Sequence, residues 1–275
     1  MFDLTPLWLR SIEIAPSTEA PTTQFPFNLP LISAGLQVKL ECPVTFFAGE
    51  NGAGKSTLLE ALALSCALPT MGAREVEQDP TLSGVNRLAN TMRLVWSRRA
   101  RHGFFFRAED FFGFQGRIST MKRELQEQIA GYEAEMGENV EANKAIQRAI
   151  GFIRGQIYEL DARYGRDPDA KSHGEAFLSA FRSRISAPGL YLLDEPEAAL
   201  SPLRQMAFLK LVKDAVEAGS QFIIATHSPL VLRMDGAQIL DFDAAPPSKC
   251  EWEDLASVRL WSAFWSAPES FLRRL

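Results

Sequence analysis

The sequence predicts an α/β domain in which a parallel sheet is flanked by helices. Short apolar runs rich in strand formers alternate with stretches of helical periodicity, the pattern that places a helix between neighbouring parallel strands. The chain is long enough, at 275 residues, for one large domain. Its 46% hydrophobic and 23% charged residues suit a soluble globular core.

Each element follows from its own stretch. The prolines of "TTQFPFNLP" (22–30) resist regular helix. Val44 to Ala48 is a short apolar strand, followed by a glycine-rich loop and by Ser56 to Leu64, whose Leu58, Leu59, Leu62 and Ala63 recur at helical spacing. Between Thr91 and Phe112, "TMRLVWSRRARHGFFFRAEDFF" reads as an antiparallel β-hairpin around a basic turn at Arg98 to Gly103. From Ile118 to Tyr164 the pattern is helical. Ile118, Met121, Leu125, Ile129 and Tyr132 form one stripe, Ile146, Ile150, Ile153, Ile157 and Leu160 a second, with a turn at Gly137 to Asn139. Strands return at Leu190 to Leu193, Gln221 to Ala225 and Gln238 to Phe242, with a helix over Pro202 to Ala218. Residues 1–275 therefore read as a single domain, with 116–180 as an inserted helical subdomain and 246–275 as a C-terminal helical extension.

Bulk properties exclude several classes. No apolar run approaches the roughly 20 residues of a membrane-spanning helix, so direct membrane insertion is not expected. "MFDLTPLWLR" lacks the basic start and apolar stretch of a secretory signal, and Cys42, Cys66 and Cys250 are too few and too scattered for a disulfide framework or a zinc site. A cytoplasmic location is expected. The net charge of −5 gives no general pull toward nucleic acid, although Arg98, Arg99, Arg101 and His102 form a local basic turn.

Three motifs carry chemistry. "GENGAGKST" comprises Gly49, Glu50, Asn51, Gly52, Ala53, Gly54, Lys55, Ser56 and Thr57, and fits GxxxxGK[ST] between a strand and a helix. In that context backbone N–H groups curl around phosphate oxygens and the helix start adds its positive end. Lys55 would bridge the β- and γ-phosphates of ATP, and Ser56 would offer its hydroxyl to Mg²⁺. "LYLLDEPEAALSP" ends a buried strand in adjacent carboxylates: Asp194 can serve the metal through its water shell, and Glu195 can orient and polarise an attacking water. In "IIATHSP", His227 follows the next strand, where it can donate a hydrogen bond to a γ-phosphate or serve as a satisfied structural residue.

The ordered motifs over about 30–245 resemble the ABC-type ATPase superfamily, in particular its soluble, non-transporter branch. The fold implied is a P-loop NTPase core. In that superfamily a Ser-x-Gly signature at a helix start completes the nucleotide site of a second subunit, and Ser172-His173-Gly174-Glu175 looks like that element. The resemblance thus implies a head-to-tail homodimer with two ATP molecules between its chains, Ser172 and Gly174 reaching the partner's γ-phosphate. It also implies a polar residue near the metal after the first strand beyond the loop. Glu109 is the favoured candidate and Gln115 the second. An aromatic residue stacking on adenine falls at Phe25 or Phe27, though core packing suits both equally. Lys171, His173 and Ser201 depart from the transporter pattern of Leu, Gly and Asp.

The expected activity is Mg²⁺-dependent hydrolysis of ATP to ADP and phosphate. The alternatives are a nucleotide-gated regulatory module of a defence or toxin system, acting on an unidentified protein client, and the energy subunit of a transporter. The C-terminal Trp261, Phe264 and Trp265 offer either a docking surface or packing on their own domain.

Overall fold

In the computed structural model, which describes residues 7–16, 24–71, 83–137, 140–164, 173–185 and 188–273, the apolar runs pair into two sheets. The larger contains β3 (Val44–Ala48), β4 (Thr70–Met71), β6 (Gly103–Arg107), β7 (Leu190–Asp194), β8 (Gln221–Ala225), β9 (Gln238–Asp241) and β10 (Ser248–Lys249). Their order is β10-β9-β3-β8-β7-β6-β4, parallel except for the edge strand β10. β3, β7 and β8 are buried at every position, as expected of parallel strands covered on both faces. The smaller, antiparallel sheet has the order β2-β1-β5, from β1 (Leu9–Ile14), β2 (Leu36–Lys39) and β5 (Met92–Trp96).

The hairpin expected over 91–112 does not form. An antiparallel region is present, but β1 and β2 supply its other strands, and β5 and β6 join different sheets. β6 runs parallel to β7, with Phe104, Phe105 and Phe106 all buried, and the chain turns helical at Ala108 instead of extending to Phe112. A three-residue apolar run buried on both faces is what a central parallel strand requires; a hairpin would have left one face wet.

Strand alternation sorts the core into two layers. On one face Phe47, Phe105, Leu192 and Ile223 share a layer with the short α1 (Pro30–Ser33) through Leu31 and Ile32, α2 (Lys55–Ser65) through Leu58, Leu59 and Leu62, and α3 (Ser83–Thr91) through Val85 and Leu88. The same layer includes Ile12 and Val38 of the small sheet. Two buried glutamines join the sheets. The Gln221 amide accepts from Trp8 N and Leu9 N and donates to Leu9 O, all at 2.9 Å. That of Gln238 accepts from Glu41 N at 2.9 Å and donates to Lys39 O at 3.0 Å. An unpaired buried amide would cost about 1–3 kcal/mol, so these contacts fix the relation of the sheets.

On the opposite face lie α6 (His173–Arg184), α7 (Pro202–Glu217) and the short α8 (Pro229–Leu232). α6 docks through Phe177 and Phe181, four residues apart on one helical face, stacked on each other at 4.6 Å and set edge-on to Phe106 at 5.1 and 5.0 Å. This anchoring holds the helix start, where Gly174 is buried. Ser172 and Lys171 lie outside the described residues, as do Glu138 and Asn139 of the expected turn. The helical stripes become α4 (Ala108–Ala134) and α5 (Val140–Tyr164), joined by an ion pair between Lys122 Nζ and Asp161 Oδ1 at 2.7 Å.

The C-terminal segment forms α9 (Ala256–Ser266) and α10 (Pro268–Leu272). Leu255 and Val258 enter the core, whereas Trp265 is 72% exposed and stacks on Trp261 of its own helix. No helix among the described residues is long and apolar enough to cross a membrane.

Candidate nucleotide site

The glycine loop of residues 49–54 leaves the C-terminal end of β3 and enters α2 at Gly54, which has φ +92° and ψ 9°. Only glycine fits there. A Cβ would stand 2.2 Å from Leu31 Cδ2, inside the core layer under the loop, and the left-handed backbone would add about 1–2 kcal/mol. The other side of the loop is tied to the strand next to β3: Glu50 N donates to Asp243 Oδ1 at 2.7 Å. Asp243, two residues beyond β9, was not legible as a site residue because nothing local marks it.

Lys55 is only 4% exposed and folds back over the loop, its Nζ donating to Gly49 O at 2.7 Å and Glu50 O at 2.9 Å. Burial lowers its pKa, opposed by the acids Asp243, Glu195, Asp194 and Glu50. Next along α2, Ser56 Oγ donates to Asp194 Oδ1 at 3.1 Å. The structure therefore brings together a loop and a strand end 138 residues apart in sequence.

Asp194 and Glu195 are neighbours with different surroundings. Asp194 ends β7 at 3% exposure, and burial pushes its pKa up to about 7 against the opposing pull of Arg107 and Ser56. Glu195 has φ 50° and ψ 48°, a left-handed conformation that costs a side-chain-bearing residue about 1–2 kcal/mol. The turn lifts its carboxylate out of the sheet, while its N–H still bonds Ala225 O at 2.9 Å. His227 Nε2 lies 3.5 Å from Glu195 Oε1 and is buried without a hydrogen-bond partner among the described residues. Such an orphaned atom is what a histidine awaiting a ligand oxygen would show.

Two further charged residues were missed from the sequence. Arg107, at the end of β6 and in register with Asp194, lies 2.6 Å from Glu60 Oε1 through Nη1 and 3.7 Å from Asp194 Oδ2 through Nε. Glu197, in the short 3₁₀ turn Pro196–Ala199, accepts from His227 N at 2.7 Å and Ser228 N at 3.2 Å. Local sequence hid both, since an arginine closing an aromatic strand and a second acid after a DE pair read equally well as solvated ends.

The remaining expected residues are more loosely placed. Glu109 sits in the first turn of α4 with an 84% exposed side chain, its Oε2 3.8 Å from Arg107 Nε. Phe25 is 52% exposed, and its carbonyl backs onto Gly84 of α3. Phe27 is half-buried beneath the Arg87 guanidinium, 5.7 Å from the ring centre. Ser201 caps α7 without a side-chain bond.

The donor set fits a nucleotide and its magnesium. A lysine resting on loop carbonyls, a hydroxyl at a helix start and a carboxylate facing it are the groups that a metal-bound triphosphate engages. The fold and site thus define a P-loop nucleotide-binding protein. The family described as "AAA domain" matches residues 29–147, and that described as "AAA domain, putative AbiEii toxin, Type IV TA system" matches 176–233. The cytochrome c biogenesis ATP-binding export protein CcmA of Rhodopseudomonas palustris is 31% identical over 194 residues, 69% of this chain and 82% of that protein. The hemin import ATP-binding protein HmuV of Pseudomonas aeruginosa is 30% identical over 191 residues, 65% of this chain and 64% of that protein. The chain spans 61 to 64% of the length of several such relatives. The Smc head domain of Pyrococcus furiosus aligns over 94% of this chain and 99% of its own, at 12% identity and a TM-score of 0.46. The chain belongs to the ABC-type P-loop ATPases. Membership supports nucleotide binding and an ATP-hydrolysing activity.

Proposed function

We propose that this chain hydrolyses ATP to ADP and phosphate with Mg²⁺, closing as a head-to-tail homodimer around the nucleotide. The observation that carries this reading is the convergence of Lys55, Ser56, Asp194, Glu195 and His227 from three separate strand ends. The loop N–H groups and the start of α2 bind phosphate, and Lys55 exchanges its two carbonyl acceptors for phosphate oxygens. Magnesium, held by Ser56 and through water by Asp194, would neutralise charge on the β- and γ-phosphates. Glu195, exposed at its turn, orients the attacking water and takes its proton. His227 presents Nε2 toward the γ-phosphate. Ser172 and Gly174 of a second copy complete the far side, Phe25 stacks on adenine, and Glu109 contributes to the metal's outer shell.

The test is Glu195→Gln. Phosphate release should fall at least about 100-fold while ATP is retained, and the variant should elute as a lasting dimer with Mg-ATP. Turnover at the wild-type rate would overturn the assignment of the base.

A second reading draws on the match of 176–233 to a family whose description names a toxin and a type IV TA system. In it the same nucleotide cycle gates a protein client, and turnover is slow until that client binds. Turnover measured with and without proteins retained by the Glu195→Gln form separates the two.

A further inference from the structure

Glu197 occupies a position that the proposed chemistry does not use. It is the second residue of the turn that begins after Glu195, and its carboxylate reaches across to the loop after β8 instead of toward solvent. One oxygen, Oε1, accepts the backbone N–H of His227 at 2.7 Å and shares that of Ser228, at 3.2 Å, with Thr226 Oγ1 at 3.1 Å. The other, Oε2, is buried without a hydrogen-bond partner among the described residues. Burial pushes the carboxyl pKa upward, while hydrogen bonds from the Thr226 side chain and the His227 backbone lower it. A carboxylate kept in such a place at a desolvation cost is there for what it holds.

What it holds is the direction of the His227 backbone. The loop has further ties, Thr226 N donating to Phe47 O at 3.2 Å and Ser228 Oγ donating to Gln205 Oε1 of α7 at 2.7 Å, but these fix the residues on either side and leave the His227 N–H to Glu197. Glu195 is connected to the same loop from its own end, through its N–H to Ala225 O. The two acids therefore bracket residues 225–228 from one short turn.

We propose that Glu197 is a positioning residue that clamps the loop carrying His227 to the turn carrying Glu195, so that the water-activating acid and the phosphate-facing histidine move as one unit. Its catalytic part rests on the ATPase reading above; the clamp itself does not. Three variants test it: Glu197→Ala, which removes the acceptor, Glu197→Gln, which keeps one, and His227→Ala. Backbone hydrogen exchange in the ligand-free protein should quicken at His227 in Glu197→Ala, leave β8 protected, and return toward wild type in Glu197→Gln.

In steady-state assays Glu197→Ala should lower kcat about tenfold with KM for ATP changed less than about threefold, because the phosphate loop is untouched. In a His227→Ala background the same substitution should add nothing, since it acts through that histidine. Unchanged exchange at His227 would overturn the clamp. Losses that multiply across the two backgrounds would overturn its action through His227. Absence of turnover in the wild type would instead remove the ATPase reading, and the exchange result would still decide the clamp.

Discussion

Asp194→Asn isolates the electrostatic cost of the strand-end acid. Burial raises this carboxyl from its ordinary 3.8 to about 7, so the folded protein holds a proton that the unfolded chain has already released. The sign follows from linkage. Well below pH 4 both states are protonated and the site costs nothing; from about pH 4 to pH 7 the cost grows, and above 7 it stays constant. At about 1.4 kcal/mol per pH unit the full penalty is about 4 kcal/mol, and most of the difference, about 3 kcal/mol, opens between pH 5 and pH 8. Asparagine does not titrate. Metal-free urea unfolding of both proteins across that range should therefore show the variant gaining about 3 kcal/mol on the wild type. The attraction of Arg107 for the carboxylate is already contained in that pKa, and the altered bond to Ser56 shifts the variant by an amount that does not follow this titration. The pH-dependent part is thus the diagnostic one. A stability difference that is the same at pH 5 and pH 8 would refute the burial argument.

Two glycine substitutions separate binding from folding. Gly54→Ala places a methyl 2.2 Å from Leu31 Cδ2 at φ +92°, so binding of a fluorescent ATP analogue should be lost, with Tm lowered by several degrees. Gly103→Ala places one 1.9 Å from Leu190 O at the start of β6, at φ +146°. It should lower Tm further than Gly54→Ala, while the molecules that remain folded bind the analogue normally.

Motif residues were legible because phosphate chemistry demands them in a fixed local order: Lys55 and Ser56 follow the loop, and Asp194 and Glu195 follow an apolar strand. Residues that act across strands were not. Arg107, Asp243 and Glu197 each reach the site from a different strand end, and only the parallel order of β9, β3, β8, β7 and β6 makes them neighbours. The misread hairpin has the same origin. Two adjacent strand-forming runs look paired, and the residues of β5 give no sign that its partner is β1, far upstream. Helical stripes at 118–132 and 146–160 were easier, since their period is local.

The same cross-strand neighbours explain how the site holds several carboxylates without ligand. Arg107 is flanked by Glu60, Asp194 and Glu109, and Lys55 is bound by carbonyls of its own loop, so both cations are engaged in advance. Loading a triphosphate is then an exchange of partners. Lys55 gives up two neutral acceptors for charged oxygens, a gain because hydrogen bonds between ionised groups are about twice as strong as neutral ones. With magnesium bound as proposed, Asp194 would face a doubly charged cation in addition to Arg107, and that charge would offset the burial that keeps its proton bound near pH 7. Metal-bound nucleotide, measured by the rise in Tm on adding Mg-ATP, should therefore stabilise the protein most at pH 7 and above, where the ligand-free site is least comfortable.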